Sequence, residues 1–154
     1  MRSIPGYYKV MKEVARHLLR RPVVGIVAAA HTADGRWLLI RRGDTGLWAL
    51  PGGTLEWGEE LRRGIIRELE EEAGVTQVEL GEVVGVYSRP DRDPRFHAVT
   101  IVVDAIVEPP TQPPMNPVEV LDVRLFADSD LPKNLSHCMT EMLANAKNRT
   151  HFWE

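Results

Sequence analysis

Cysteine occurs once in the 154 residues, at Cys138, so no internal disulfide can form and the chain suits a reducing compartment. No apolar run approaches the roughly 20 residues that a membrane-crossing helix needs. Met1-Arg2-Ser3-Ile4-Pro5 is not followed by a signal-peptide core, so a cytoplasmic location is the default. Basic charge is not in excess either. Nineteen Lys and Arg stand against 22 Asp and Glu, a net charge of −3, which argues against a general nucleic-acid binder. Nucleotides stay open as ligands, because a metal ion can bring the positive charge. Internal repeats are absent. What remains is a chain of one domain's length with an ordinary charged fraction of 27%, long enough to bury a hydrophobic core.

The pattern of elements is mixed. Tyr7, Val10, Met11, Val14, Leu18 and Leu19 recur at helical spacing and predict a helix over Tyr7–Arg21, closed by Pro22. Val23–Ala30 reads as a buried strand, and Trp37–Ile40 as its return after the turn at Ala33–Arg36. Trp48–Leu50 is short and extended, stopped by Pro51-Gly52-Gly53. A second helix is expected from about Gly58 to Ala73, with Gly74 as its stop. Strands follow over Val78–Tyr87, Ala98–Val107 and Glu119–Phe126. The five prolines between Pro109 and Pro117 predict a stiff, unpaired connection. A last amphipathic helix is expected over Asn134–Arg149, with Leu135, Cys138, Met142, Leu143 and Ala146 on its apolar side. Cys138 is therefore read as core, and His137 as pointing elsewhere. Such an order suggests an α/β sandwich, helices packed on a mixed sheet, preceded by a helical extension over residues 1–21.

Within the second helix, Arg67-Glu68-Leu69-Glu70-Glu71-Glu72 crowds four carboxylates into about a turn and a half. Residues three and four apart share a face, so Glu68, Glu71 and Glu72 project together while Glu70 turns away. Like charges so placed cost about 0.2–0.5 kcal/mol per pair in an isolated helix. A hard divalent cation such as Mg2+ turns the repulsion into a binding site.

The spacing carries a resemblance. Gly53, Glu59 and the run Arg67–Val75, entered through Trp48-Ala49-Leu50-Pro51-Gly52-Gly53, match the fixed positions of the Nudix hydrolase signature. The resemblance covers roughly Val23 to the C-terminus and implies an α/β/α sandwich. It also implies hydrolysis of a diphosphate joined to another group, with Mg2+ or Mn2+. By that resemblance Glu68, Glu71 and Glu72 bind the metal, and one of them acts on the attacking water. A Gly52 or Gly53 carbonyl is a further candidate ligand, because glycine lets the backbone come close. Glu59 and Arg67 are expected as a structural pair orienting the loop against the helix. Glu119 is expected either to complete the metal site or to stand as an exposed strand-end carboxylate, and Glu56 to be peripheral.

The loop from Ser88 to His97 is the best pointer to substrate. Pro90 stands where proteins similar to ADP-ribose pyrophosphatases carry a proline, although Phe96 replaces a glycine of that pattern. Arg41, Arg42, Arg89, Arg95 and Phe96 are candidate substrate contacts, the arginines as bidentate partners of phosphate. Arg92 is expected either on phosphate or paired with Asp91 or Asp93. Trp48 is read as core or as a platform for a nucleobase, and His97 as a structural residue at the strand start. Three functions follow: hydrolysis of ADP-ribose or a related nucleoside diphosphate sugar, hydrolysis of nucleoside triphosphates, and a non-catalytic nucleotide-binding module. The last ranks lowest because no glutamate of the signature is missing. The first helix is expected either to cap its own core or to pair with a second subunit in a homodimer. Neither a nucleic-acid nor a membrane partner is expected.

Overall fold

The computed structural model describes residues 6–154. Helix α1 spans Gly6–Leu19 and exposes Val10, Met11, Val14 and Leu18. The side chains of Tyr7 and Leu19 in the same stripe lie outside the described residues.

Among the described residues eight strands build one mixed sheet: β1 (Val23–His31), β2 (Trp37–Arg42), β3 (Trp48–Ala49), β4 (Gly52–Thr54), β5 (Val78–Tyr87), β6 (Ala98–Val107), β7 (Val120–Phe126) and β8 (Phe152–Trp153). The order is β3-β2-β1-β6-β5-β8, with β4 paired to β1 and β7 to β2. Strand β1 runs parallel to β6 from Val23↔Ala98 to His31↔Ile106. Central parallel strands are covered on both faces, which is why Ile26 to Ala30 form an unbroken buried run instead of alternating.

Helices α2 (Leu61–Ala73) and α3 (Met139–Lys147) cover opposite faces. Ile26 meets α2, where a Cβ on Gly64 would stand 2.6 Å from its Cδ1. Gly25 and Val27 point the other way and line a cleft with Met139 and Met142 of α3. Successive strand residues alternate faces, so these contacts define an α/β/α sandwich.

Several boundaries differ from the sequence reading. Helix α2 starts at Leu61, not Gly58, because Gly58 is left-handed (φ 79°) and Glu60 is extended. It stops at Gly74 (φ 64°), whose N–H donates to the Glu70 carbonyl at 3.0 Å. Pro51-Gly52-Gly53 is more than a stop, since residues 52–54 form β4 against Gly25–Val27. The proline-rich segment is not unpaired: the Met115 N–H donates to the Glu71 carbonyl at 2.8 Å, and Thr111 and Gln112 donate to that of Gly74. It thereby satisfies carbonyls that α2 leaves open at its C-terminus.

The last helix is the largest correction. A 3-10 turn at Ser136–Cys138 precedes α3, with His137 (φ 51°) and Cys138 (φ 59°) left-handed. That reversal turns Cys138 out to solvent, so it is exposed and not core. The buried stripe begins one residue later, at Met139, and continues through Met142, Leu143 and Ala146.

Candidate active site

Helix α2 buries Ile65, Leu69 and Ala73 on the sheet, and this fixes the direction of its carboxylates. Glu68 is 8% exposed and faces the glycine strand, while Glu70 is exposed. A cation already stands among the crowded acids: Arg67. Its Nε and Nη2 donate to the two oxygens of Glu59 at 2.8 and 2.9 Å. Its Nη1 donates to Glu68 at 2.8 Å and to Glu71 at 3.3 Å. These contacts hold the Glu59 carboxyl at about 2, chiefly through the Arg67 hydrogen bonds. One planar guanidinium thus ties the loop to the helix and hydrogen-bonds three carboxylates.

Glu72 has no such partner. The Gly52 N–H donates to its Oε2 at 2.8 Å, yet burial pushes its pKa up to about 7, and Glu68 and Glu119 add to the rise. Burial likewise raises Glu68. Glu68, Glu71, Glu72 and Glu119 line one cavity of about 260 Å3 with Met115 and Asn116. Among the described residues no three acidic or imidazole side chains converge on a single point, because Arg67 and the Gly52 amide engage them. The set fits a divalent cation nonetheless. All four side chains offer hard carboxylate oxygens, the donor type that a divalent cation prefers.

The glycines serve close approach. A Cβ on Gly52 would collide with the Ile26 carbonyl and stand 2.8 Å from the Val27 Cα. On Gly53 it would strike the Glu68 carboxyl, 2.7 Å from its Cδ.

Beside the acidic cavity opens a cleft of about 320 Å3 on the α3 face. Glu72 lines both. Arg42, Arg95 and Phe96 line the cleft, along with Tyr87, Arg92, His137 and the two α3 methionines. Arg42 pairs with Asp44 at 2.8 Å and Arg95 with Asp93 at 2.7 Å.

A carboxylate-bearing helix face beside an arginine-bearing cleft agrees with what sequence comparison finds. The family model for the NUDIX domain matches residues 19–146. The chain belongs to the Nudix family. An ADP-ribose pyrophosphatase of Methanocaldococcus jannaschii is 44% identical over 72 residues, which cover 45% of this chain and 42% of that one. The chain thus spans less than half the length of such curated Nudix relatives. Among solved structures, an ADP-ribose pyrophosphatase from Streptococcus suis superposes with a TM-score of 0.67 at 28% identity, covering 87% of this chain and 97% of that one. A MutT Nudix hydrolase from Burkholderia pseudomallei gives 0.68 at 32% identity, covering 82% and 98%.

Against this Nudix frame the sequence-predicted residues divide. Glu68, Glu71, Glu72, Glu119, Gly52 and Gly53 border the acidic cavity or the strand beside it, and Glu59 pairs with Arg67. Glu119 lies in the turn before β7, one residue short of the strand expected to begin there. Glu56 is exposed and its N–H donates to Glu59. Three candidate substrate contacts do not line the cleft. Arg41 is exposed and donates to the Gly46 carbonyl. Trp48 packs edge-on against Phe126, 4.9 Å between centroids, with Arg124 over its ring, which removes it as a nucleobase platform. Arg89 pairs with Asp91 and Glu154. His97 joins the loop to β1: its ring nitrogen lies 2.8 Å from the Ser88 carbonyl, and its own carbonyl accepts from Val23.

Arg92 contradicts the expected pairing with Asp91 or Asp93. It is 7% exposed and bonded to Glu154 and Glu141, above the Tyr87 ring. These partners lie 62 and 49 residues away, so no local pattern announces them. His137 was missed for a similar reason, since only its left-handed backbone turns it into the cleft.

The Arg92–Glu154 bond gives a pH signature. Arg92 holds the Glu154 carboxyl down at about 2, so its stabilisation is full above the ordinary value near 4.5 and fades as pH falls toward 2. Urea midpoints of the wild type and Glu154→Gln should differ at pH 6, and the gap should narrow steadily below pH 4.5. A gap independent of pH would contradict the ion pair.

Proposed function

We propose that this chain is a divalent-metal-dependent hydrolase of the diphosphate linkage in a nucleoside diphosphate-X substrate, ADP-ribose or a related nucleoside diphosphate sugar. One observation carries the reading: Glu72 lines both the acidic cavity and the arginine-bearing cleft, so a diphosphate lying across it meets a cation on one side and guanidinium groups on the other. Glu68, Glu71 and Glu72, with Glu119 beside them, would hold Mg2+, or Mn2+ in its place. The ion supplies charge neutralisation at the phosphate oxygens and lowers the pKa of a coordinated water.

The protein's own residues do the rest. Arg42 and Arg95 offer the phosphate oxygens the guanidinium N–H groups that Asp44 and Asp93 leave free. Gly52 and Gly53 keep the backbone low enough for the diphosphate to reach the helix. A carboxylate of the cluster accepts the proton as the water oxygen bonds to phosphorus. The bridging P–O bond breaks, and the leaving phosphate carries away its electron pair. From ADP-ribose the products are AMP and ribose 5-phosphate.

Phe96 favours a second reading, hydrolysis of nucleoside triphosphates, because an aromatic side chain fills the place of a glycine and lines the cleft. Product release with Mg2+ across a panel of nucleoside diphosphate sugars and nucleoside triphosphates separates the two. ADP-ribose or a related sugar should turn over best. Turnover of a triphosphate with ADP-ribose untouched would replace the first reading by the second.

A further inference from the structure

The loop from Ser88 to His97 brings Arg95 and Phe96 to the cleft, yet no helix or strand runs through it. Of its residues Arg92 alone is buried, so the apolar core does not hold it. Ordering such a loop at the moment of binding would cost affinity. Carboxylates from distant elements hold it instead. Glu154, the residue after β8, accepts the Ser88 and Arg89 N–H groups, each at 2.7 Å, and Arg92 Nε at 3.0 Å. Glu141 of α3 accepts Arg92 Nη2, also at 3.0 Å. The Arg92 guanidinium lies 4.7 Å from the centroid of Tyr87, whose ring stacks on Phe152 of β8 and whose hydroxyl accepts from Asn145 of α3. One buried arginine thus ties the loop to α3 and to β8.

We propose that Glu154 and Glu141 are positioning residues for the substrate, acting through Arg92 to keep Arg95 aimed at the diphosphate. The inference rests on the hydrolase reading for its ligand and adds what holds the phosphate contact in place. The relay runs through one more side chain. Asp93, next to Arg92, accepts the Arg95 backbone N–H at 2.9 Å, its Nε at 3.0 Å and its Nη2 at 2.7 Å. Asp93 therefore fixes one edge of the Arg95 guanidinium, and the remaining N–H groups are those offered to phosphate. Releasing Arg92 would let Asp93 and Arg95 shift together and spread that guanidinium over several positions. Neither Glu141 nor Glu154 lines the cleft or the acidic cavity, so an effect of either on substrate must pass through the loop.

Steady-state kinetics of the full chain with Mg2+, on the best substrate of the panel, test this. In Glu154→Gln the Ser88 and Arg89 N–H groups still meet an amide oxygen, but Arg92 loses a charged partner. KM should rise about fivefold with kcat changed less than about twofold, the mark of a contact made equally in ground and transition states. In an Arg95→Ala background the same change should move KM by less than about twofold, because the residue it positions is gone. A merely structural role predicts the opposite pattern: kcat falls with the folded fraction, KM stays, and the factor is the same in both backgrounds. If Glu154→Gln does not fold at the assay temperature, Glu141→Gln carries the comparison, since it cuts the α3 tie alone and the Glu141 side chain is 46% exposed. Its KM should rise about two- to threefold, again only when Arg95 is present. An unmoved KM in a folded variant, or an equal rise with and without Arg95, overturns the proposal. A panel without turnover would overturn the hydrolase reading and this inference with it, whereas an active panel with an unmoved KM strikes the inference alone.

Discussion

Glu72→Gln is expected to lower turnover of a diphosphate substrate about a thousandfold while leaving the melting temperature at pH 8 unchanged or raised. The glutamine side chain has the same shape, and its carbonyl oxygen still accepts the Gly52 N–H that Glu72 accepts at 2.8 Å. What it lacks is the charge. In the metal-free fold that charge is unfavourable: burial, Glu68 and Glu119 hold the proton on up to about pH 7, against an ordinary 4.5. A carboxyl whose folded pKa is raised costs stability progressively as pH climbs from the ordinary 4.5 to about 7, and the full cost stands at pH 8, so removing it relieves the protein there. The carboxylates whose crowding is costly are those proposed to hold the cation. Loss of activity with gain of stability is the mark of a functional cluster, and a collapsed melting temperature would assign Glu72 to structure instead.

The second large effect is Gly52→Ala. Strand β4 lies so close to β1 that an added methyl meets the Ile26 carbonyl and the Val27 Cα, both backbone atoms that cannot rotate aside. The melting temperature should fall by roughly 10 °C, the value of about 3 kcal/mol in a domain of this size, and turnover should fall with it as the Gly52 amide leaves Glu72. Gly35→Ala is the control. Its φ of 85° strains any side chain, but no atom lies within 4 Å of the added methyl, so its effect should be only a few degrees and confined to stability. Thermal melts of the two variants, read beside their turnover, check this. Equal losses in both would contradict a special role for the β4–β1 approach.

Helix α2 was legible because two signals coincide there: apolar residues at 65, 69 and 73 fix its buried side, and Gly74 closes it with φ positive. Once that side is known, the direction of Glu68, Glu71 and Glu72 follows from helical geometry alone. Strand β1 was legible for a related reason, since a short apolar run rich in β-branched Val and Ile, set between Pro22 and the turn at Ala33–Arg36, suits a strand covered on both faces. Legibility failed where distant residues decide. Strand β8 is two residues long and exists through its pairing with Gly85 and Val86. The partners of Arg92 come from α3 and the final residue, so the nearer Asp91 and Asp93 looked equally good in sequence. At Ser136–Cys138 apolar spacing suggested a helix running through, and two consecutive left-handed residues reversed the outcome, exposing Cys138 and turning His137 inward. Cysteine is not a residue type that announces positive φ.

The central claim is that Glu68, Glu71 and Glu72 hold a divalent cation at the mouth of the cleft. Mn2+ titration of the metal-free protein at pH 8, followed by loss of the free-ion electron paramagnetic resonance signal, tests it most directly. Wild-type protein should take up the ion, and Glu72→Gln should bind it at least tenfold more weakly with its fold intact. Equal affinity in the two proteins would contradict the claim.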